Sequence, residues 1–305
     1  MPPVRRIEVG CVGPEDVVVD SNGRVITGLP DGRILRIDPD TAGIETIADT
    51  GGRPLGIELF PDERLLVCDA VRGLLRVDPA SGGTEVLVTA VDGQPLVFCN
   101  NAAVAGDGTV YFTDSSQRFG IEHWKAEILE HSGTGRLLRR DPDGSTTTLL
   151  TGLEFANGVA LTPDESAVIV AETGAYRLTR LALTGPRAGQ RDVLVENLPG
   201  FPDNISTGTD GMIWVTQASP RDPVLDRAHR LHPVVRRAVW ALPERLQPNE
   251  KRTAWVLAID ADGQVMHDLQ GPGTDYFMVT GVRRHHGRLY LGSLLDTAIG
   301  VVDLP

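Results

Sequence analysis

Residues Cys99–Asp114 read CNNAAVAGDGTVYFTD: a short apolar run, an Asp-Gly turn, then an alternating strand. In VYFTD successive side chains face opposite ways, the period of a β-strand with two differently packed faces. The unit recurs. PEDVVVDSNGRVITG begins at Pro14, PLGIELFPDERLLVCD at Pro54, ANGVALTPDESAVIVAE at Ala156, PDNISTGTDGMIWVT at Pro202 and VTGVRRHHGRLYLGS at Val279. Outer hairpin partners follow, among them GRILRIDP at Gly32, GLLRVDP at Gly73, GRLLRRDP at Gly135, YRLTRLAL at Tyr176, AWVLAIDADG at Ala254 and GVVDL at Gly300. Six such units, spaced by roughly 40 to 75 residues, predict an all-β fold: a six-bladed β-propeller of four-stranded blades. The helices of ten or more residues that an α/β chain needs between strands are missing from the repeat cores. RRIEVG (Arg5–Gly10) has no unit of its own. It is expected to close the last blade, residues 4–10 pairing near 299–303 and covering two sheet edges.

No low-complexity tract or linker divides the chain, so residues 1–305 read as a single propeller domain. With 34 Gly and 21 Pro it is turn-rich, and with 5% aromatics its core rests on Val, Ile, Leu and Ala. A net charge of -12 opposes binding to nucleic acid or to an anionic membrane. No stretch has the length of a membrane span, and no basic-then-apolar leader is present. The chain therefore reads as cytoplasmic, with a small-molecule substrate as its partner. Cys11, Cys68 and Cys99 match no zinc spacing and read as small core hydrophobes.

Two stretches break the period. Residues 117–134, QRFGIEHWKAEILEHSGT, fall between the third and fourth strand signals of blade three, and residues 217–253 fall likewise in blade five. The latter carries LDRAHRLHPVVRRAVWALPERL with helical spacing, and eight Arg/Lys against four Asp/Glu. Insertions map to one rim of a propeller, and long loops there serve ligands; the second is expected to cover the mouth. The plainer reading is a solvated helical hairpin.

Aligning the units on their turn residues (Asn22, Asp62, Asp107, Asp164, Asp210, His286) places Glu15, Leu55, Asn100, Asn157, Asp203 and Val279 seven residues upstream of each. That position opens the innermost strand, beside the central tunnel. Four of the six are carboxylates or carboxamides, and Asn204 follows directly. Convergent buried oxygens need a partner. Two carboxylates and a set of amide oxygens suit a hard cation: Ca²⁺ first, with Mg²⁺ and Mn²⁺ as alternatives, and zinc disfavoured for want of His or thiolate. The competing reading is that these side chains merely cap strand ends.

FCNNAAVAGDGTVYFTDSS, GLEFANGVALTPDESAVIVAETGAYRLTR and NLPGFPDNISTGTDGMIWV closely resemble the strictosidine synthase-like proteins. These belong to a superfamily that includes the SMP-30 proteins, gluconolactonases and paraoxonases, and the likeness covers essentially the whole chain. The resemblance implies a calcium held by Glu15, Asn100, Asn157, Asp203 and Asn204, where the metal-dependent lactonases carry their ligands. A second, structural calcium of the paraoxonases falls near Asp16 and Asn101. Because the pattern has Asp where this chain has Asn101, that ion is not expected. The glutamate used by strictosidine synthase falls on Thr280, which cannot act as a carboxylate acid or base. The paraoxonase histidine pair points to the region of His123 and His131, although their spacing differs.

The expectation is a metal-dependent hydrolase of a lactone or related ester. The cation would polarise the carbonyl, Asp203 would meet water or substrate, and His123 and His131 are candidates for activating water. Rival readings are an organophosphate or phosphoester hydrolase with Asp203 as nucleophile, a metal-assisted cyclase or isomerase, and a non-enzymatic ligand-binding propeller.

Overall fold

The structure, a computed structural model, describes residues 1–240 and 250–304, with only the backbone at 238 and 239. The part of the second insertion at 241–249 lies outside the described residues. The chain begins with β1 (Arg5–Glu8) and then lays down blades in order. Blade one is β2 (Val17–Val19), β3 (Val25–Gly28), β4 (Arg33–Ile37) and β5 (Ile44–Asp49). Blade two is β6 (Pro54–Leu59), β7 (Leu65–Asp69), β8 (Gly73–Val77) and β9 (Thr84–Val88), followed by a two-stranded ribbon, β10 (Ala90–Val91) and β11 (Gln94–Pro95). Blade three is β12 (Cys99–Val104), β13 (Val110–Asp114), β14 (Gly135–Arg140) and β15 (Thr146–Leu153). Blade four is β16 (Ala156–Leu161), β17 (Ala167–Glu172), β18 (Arg177–Ala182) and β19 (Arg191–Val195). Blade five is β20 (Gly200–Thr207), β21 (Ile213–Pro220), β22 (Ala254–Ile259) and β23 (Val265–Gly271). Blade six is β24 (Val279–His285), β25 (Arg288–Ser293) and β26 (Ala298–Asp303), completed by β1. Arg5 lies opposite Val301 and Glu8 opposite Ala298, as the orphan strand required.

Successive blades pack face to face through β-branched and aliphatic side chains, giving one apolar cluster per blade pair. Val18, Ile26, Ile57 and Leu65 join blades one and two. Ile7, Val17, Tyr290 and Ile299 join six to one. Removing a fully buried member such as Leu65 or Ile299 by truncation to Ala costs about 2–5 kcal/mol. Cys68 and Cys99 pack in the cluster between blades two and three, while Cys11 is half-buried; all three are free thiols. Near the axis the innermost strands crowd. A Cβ on Gly56 would sit 2.6 Å from the Asn100 carbonyl oxygen, and one on Gly281 would sit 2.7 Å from Asp16 Cα. Gly158 is equally closed, and the intervening blades fill the space with Asp16, Asn101 and Asn204.

Both insertions join the second strand of a blade to the third, which corrects the expected placement between third and fourth. A helix, α1 (Trp124–Glu130), stands between β13 and β14; α2 (Pro223–His229) and α3 (Pro233–Trp240) stand between β21 and β22. The repeat spacing alone does not distinguish the two kinds of connection. Antiparallel pairing does: the second strand ends at the rim where the first begins, so both insertions rise from the rim carrying the strand openings. Asp222 caps α2, accepting from the backbone N–H groups of Val224 and Leu225, with Pro223 at the first helical position. Among the described residues no helix is long and apolar enough to cross a membrane.

Candidate metal centre at the propeller mouth

Glu15, Asn100, Asn157 and Asp203 are all buried, and all line one cavity at the mouth. Local backbone irregularity aims three of them. The ladder slips between Cys99 and Ala102, between Ala156 and Val159, and between Pro202 and Ile205, so a bulge sits at each donor of blades three to five. Bulges re-aim side chains, here toward the axis.

Hydroxyl groups then decide which way the carboxamides face. Asn100 Nδ2 donates to Ser115 Oγ at 2.8 Å, and that hydroxyl donates to the Ala156 carbonyl of the next blade at 2.7 Å. One blade on, Asn157 Nδ2 donates to Thr173 Oγ1 at 3.1 Å, which donates to the Pro202 carbonyl at 2.6 Å. The corresponding positions in blades two, five and six are Ala70, Ala218 and Leu294, where the opening residue is not Asn. Asn204 Nδ2 donates to Glu15 Oε1 at 2.9 Å. With the nitrogens occupied, Asn100 Oδ1, Asn157 Oδ1, Asn204 Oδ1 and Glu15 Oε2 remain buried without a hydrogen-bond partner. Each such oxygen costs about 1–3 kcal/mol if nothing satisfies it.

Burial, reinforced by Asp203 and Asp16, raises the Glu15 carboxyl well above the usual range, against the opposing pull of Arg53. Burial likewise pushes Asp203 up to about 7, although the Asn157 carboxamide and the Asn204 backbone donate to it. Two carboxyls this close in a dry site do not both ionise unless a cation joins them. Their shifts and the four partnerless oxygens fit a hard divalent cation, with Glu15, Asn100, Asn157 and Asp203 as donors and Asn204 one layer deeper. No group of three or more His, Cys, Asp or Glu with metal-holding geometry occurs among the described residues; this donor set is half carboxamide.

The sixth blade corrects the alignment: Thr280, not Val279, takes the equivalent position and lines the cavity. The β24–β25 hairpin is one residue shorter, since Val282 pairs with Leu291 whereas Ala102 pairs with Phe112 and Ile205 with Val215. Counting back from the turn therefore overshoots by one. Thr280 Oγ1 donates to the Glu15 carbonyl at 2.7 Å.

Beneath the mouth, Asp16 and Asn101 satisfy each other. Asn101 Nδ2 donates to Asp16 Oδ2 at 3.1 Å, its Oδ1 accepts from Val159 N at 2.9 Å, and Ile57 N donates to Asp16 at 3.2 Å. Arg283, ion-paired to Glu58, adds its positive charge beside Asp16.

His123 and His131 are not brought to the cavity wall. His123 lies edge-on to Trp240, ring centres 6.2 Å apart. His131, the left-handed C-cap of α1, stacks on His229 at 4.5 Å and faces Glu154 at 3.5 Å. Burial lowers its pKa, and Arg236 lowers it further.

A second ring went unread in the sequence. Two residues before each opening stand Gly13, Arg53, Phe98, Phe155, Phe201 and Met278; the last four line the cavity above the donors. Phe155 and Met278 hold φ of 57° and 51°, a left-handed backbone that bulky residues rarely adopt. The repeat held the signal, since three of the seven Phe fall in one register. Above this ring Trp124, Ile128, Leu225 and Trp240 from the insertions complete the chamber, so both insertions cover the mouth that holds the donors.

A closed ring of six blades with oxygen donors converging at a helix-covered mouth defines one class of propeller, and comparison places the chain within it. The chain belongs to the SMP-30/gluconolactonase/LRE-like family, whose signature matches residues 29–230, and its residues 4–37 match the strictosidine synthase-like N-terminal region. It is 34% identical over 323 residues to the adipocyte plasma membrane-associated protein of Salmo salar, covering 98% of this chain and 77% of that one. It is also 34% identical over 328 residues to the Arabidopsis thaliana protein STRICTOSIDINE SYNTHASE-LIKE 10, covering 97% and 86%. Among solved structures it superposes on a gluconolactonase of Xanthomonas campestris with TM-score 0.72, 18% identity and coverage of 99% and 89%. It superposes on the calcium-binding protein regucalcin of Agrobacterium tumefaciens with TM-score 0.70, 14% identity and coverage of 99% and 94%. At these identities the two structures establish the fold alone.

Proposed function

We propose that the protein is a calcium-dependent hydrolase of lactones or related esters, working at the propeller mouth. The observation that carries this reading is the set of four buried oxygens, on Glu15, Asn100, Asn157 and Asn204, that lack any hydrogen-bond partner. The gluconolactonase and calcium-binding descriptions of proteins sharing the fold support it. Glu15, Asn100, Asn157 and Asp203, with Asn204 beneath them, hold the cation, whose chemistry when bound is to polarise an ester carbonyl and steady the charge that develops on its oxygen.

The chain's own groups do the rest. Ser115 and Thr173 keep the carboxamide oxygens turned to the axis. Asp203, ionised in the loaded site, accepts a proton from water as the water oxygen bonds to the carbonyl carbon. As the ring C–O bond breaks, the same proton passes to the departing alkoxide, leaving a hydroxy acid. The apolar ring above excludes bulk water. Titration calorimetry of Ca²⁺ into chelator-treated protein, paired with a lactone and aryl ester screen with and without chelator, tests the reading. Micromolar or tighter binding and chelator-sensitive turnover are expected. Absence of binding at millimolar Ca²⁺ refutes it.

A further inference from the structure

The chamber above the donors is a cavity of ≈110 Å³ that opens at the mouth. Its walls form an apolar cluster separate from the six clusters between blades, built on Phe98, Phe155, Ile128 and Leu225, with Phe201 and Trp240 packed against it. The ring closes without this cluster, and two of its members are associated with energetically costly features: Phe155 has a left-handed backbone, and Leu225 stands on an insertion.

Polar groups in the upper wall are few, and several are already engaged. Asp222 caps α2, Ser219 Oγ accepts from Lys251 N at 2.9 Å, and Lys125 pairs with Glu250 at 3.0 Å. A sugar lactone entering with its carbonyl on the floor would bury several hydroxyls against carbon. An alkyl or aryl group would meet matching surface.

We infer that this site takes lactones or esters with an apolar body, an alkyl chain of several carbons or an aromatic ring, and discriminates against polyhydroxylated lactones. The inference rests on the hydrolase reading above and narrows it. Its strongest warrant is the wall itself, in which aromatic and aliphatic side chains from the insertions and the strand openings outnumber the polar ones above the donor layer.

The test keeps one six-membered lactone ring and varies its decoration: δ-valerolactone, δ-nonalactone, δ-undecalactone and glucono-δ-lactone, on the calcium-loaded full chain. kcat/KM should rise roughly fourfold per added methylene over the first few carbons. Glucono-δ-lactone should fall at least 100-fold below δ-nonalactone. Glucono-δ-lactone turned over as well as δ-valerolactone would overturn the inference. Phe201→Asn should flatten the methylene increments; an equal loss on every substrate would argue against a wall role. If no lactone is hydrolysed, the hydrolase reading fails but selectivity remains measurable as binding. δ-Undecalactone should then raise the melting midpoint and glucono-δ-lactone should not. Any other pattern in that measurement refutes the apolar site.

Discussion

Replacing Thr173 by Val removes one hydroxyl and almost no volume, which isolates its part in the mouth. Thr173 Oγ1 is the acceptor for Asn157 Nδ2 and the donor to the Pro202 carbonyl, at 3.1 and 2.6 Å. Both partners are buried and on adjacent blades, so the substitution strands one donor and one acceptor. At about 1–3 kcal/mol for each stranded group, with some relaxation, the fold should lose about 2–4 kcal/mol. The Asn157 carboxamide also loses the contact that tells its oxygen from its nitrogen, and a flipped amide presents N–H groups to the cation. Outer contacts of this kind are typically worth 10- to 100-fold in metal affinity. Calorimetry with Ca²⁺ on chelator-treated protein, beside urea unfolding of the same sample, reads the two effects separately. Thr173→Ser, which keeps the hydroxyl, should recover most of the affinity; Ser115→Ala should repeat the loss at Asn100. A Thr173→Val protein that is destabilised yet binds Ca²⁺ within twofold of wild type would show that the hydroxyl does not set the amide, and the orientation argument would be wrong.

Asp203→Asn should abolish turnover even at saturating Ca²⁺, because it removes the proton acceptor, whereas Glu15→Gln should recover much of its rate as Ca²⁺ is raised. Rescue of both variants by excess Ca²⁺ would reduce Asp203 to a ligand. The stacked His131 and His229 should make stability pH-dependent, since burial and then the neighbouring His131 push His229 down to about 4. A folded pKa below the unfolded value near 6.5 means stability present above pH 6.5 and lost as pH falls toward 4. Arg236 adds to this by disfavouring a second positive charge, while the Ile128 carbonyl and Asp226, on the same helix as His229, partly offset it. His229→Phe should keep the stack and flatten the fall in melting midpoint between pH 7 and 5; parallel curves for the two proteins would place the sensitivity elsewhere.

The ring was legible because each blade repeats a strand, a turn and a strand, and because RRIEVG had nowhere to pair except the far end of the chain. The donors were legible for the same reason, since a polar residue opening an apolar strand four times in register is a pattern. The same counting failed at blade six, where a hairpin shorter by one residue shifted Thr280 onto Val279, a change in turn geometry invisible to spacing. It also misplaced both insertions by one strand, because strand pairing, not period, decides which rim a loop occupies. Phe98, Phe155 and Phe201 were missed for a different reason. Apolar residues before an apolar strand look like core, and only their convergence above the oxygens gives them another meaning. Ser115 and Thr173 carried no signal until their hydrogen bonds were visible.

The pairing of β1 with β26 has a consequence for the order in which the protein matures. Glu8 meets Ala298, so the ring cannot shut until β26 has left the ribosome. Glu15 sits in the first blade, yet its carbonyl is gripped by Thr280 in the last. The donors of blades three, four and five can be in place while Glu15 still lacks its far neighbour. A nascent chain stalled before residue 280 would thus carry five of six blades, with the faces of the first and fifth unpacked and the mouth unfinished. Capacity to hold the ion should therefore appear late in synthesis and all at once.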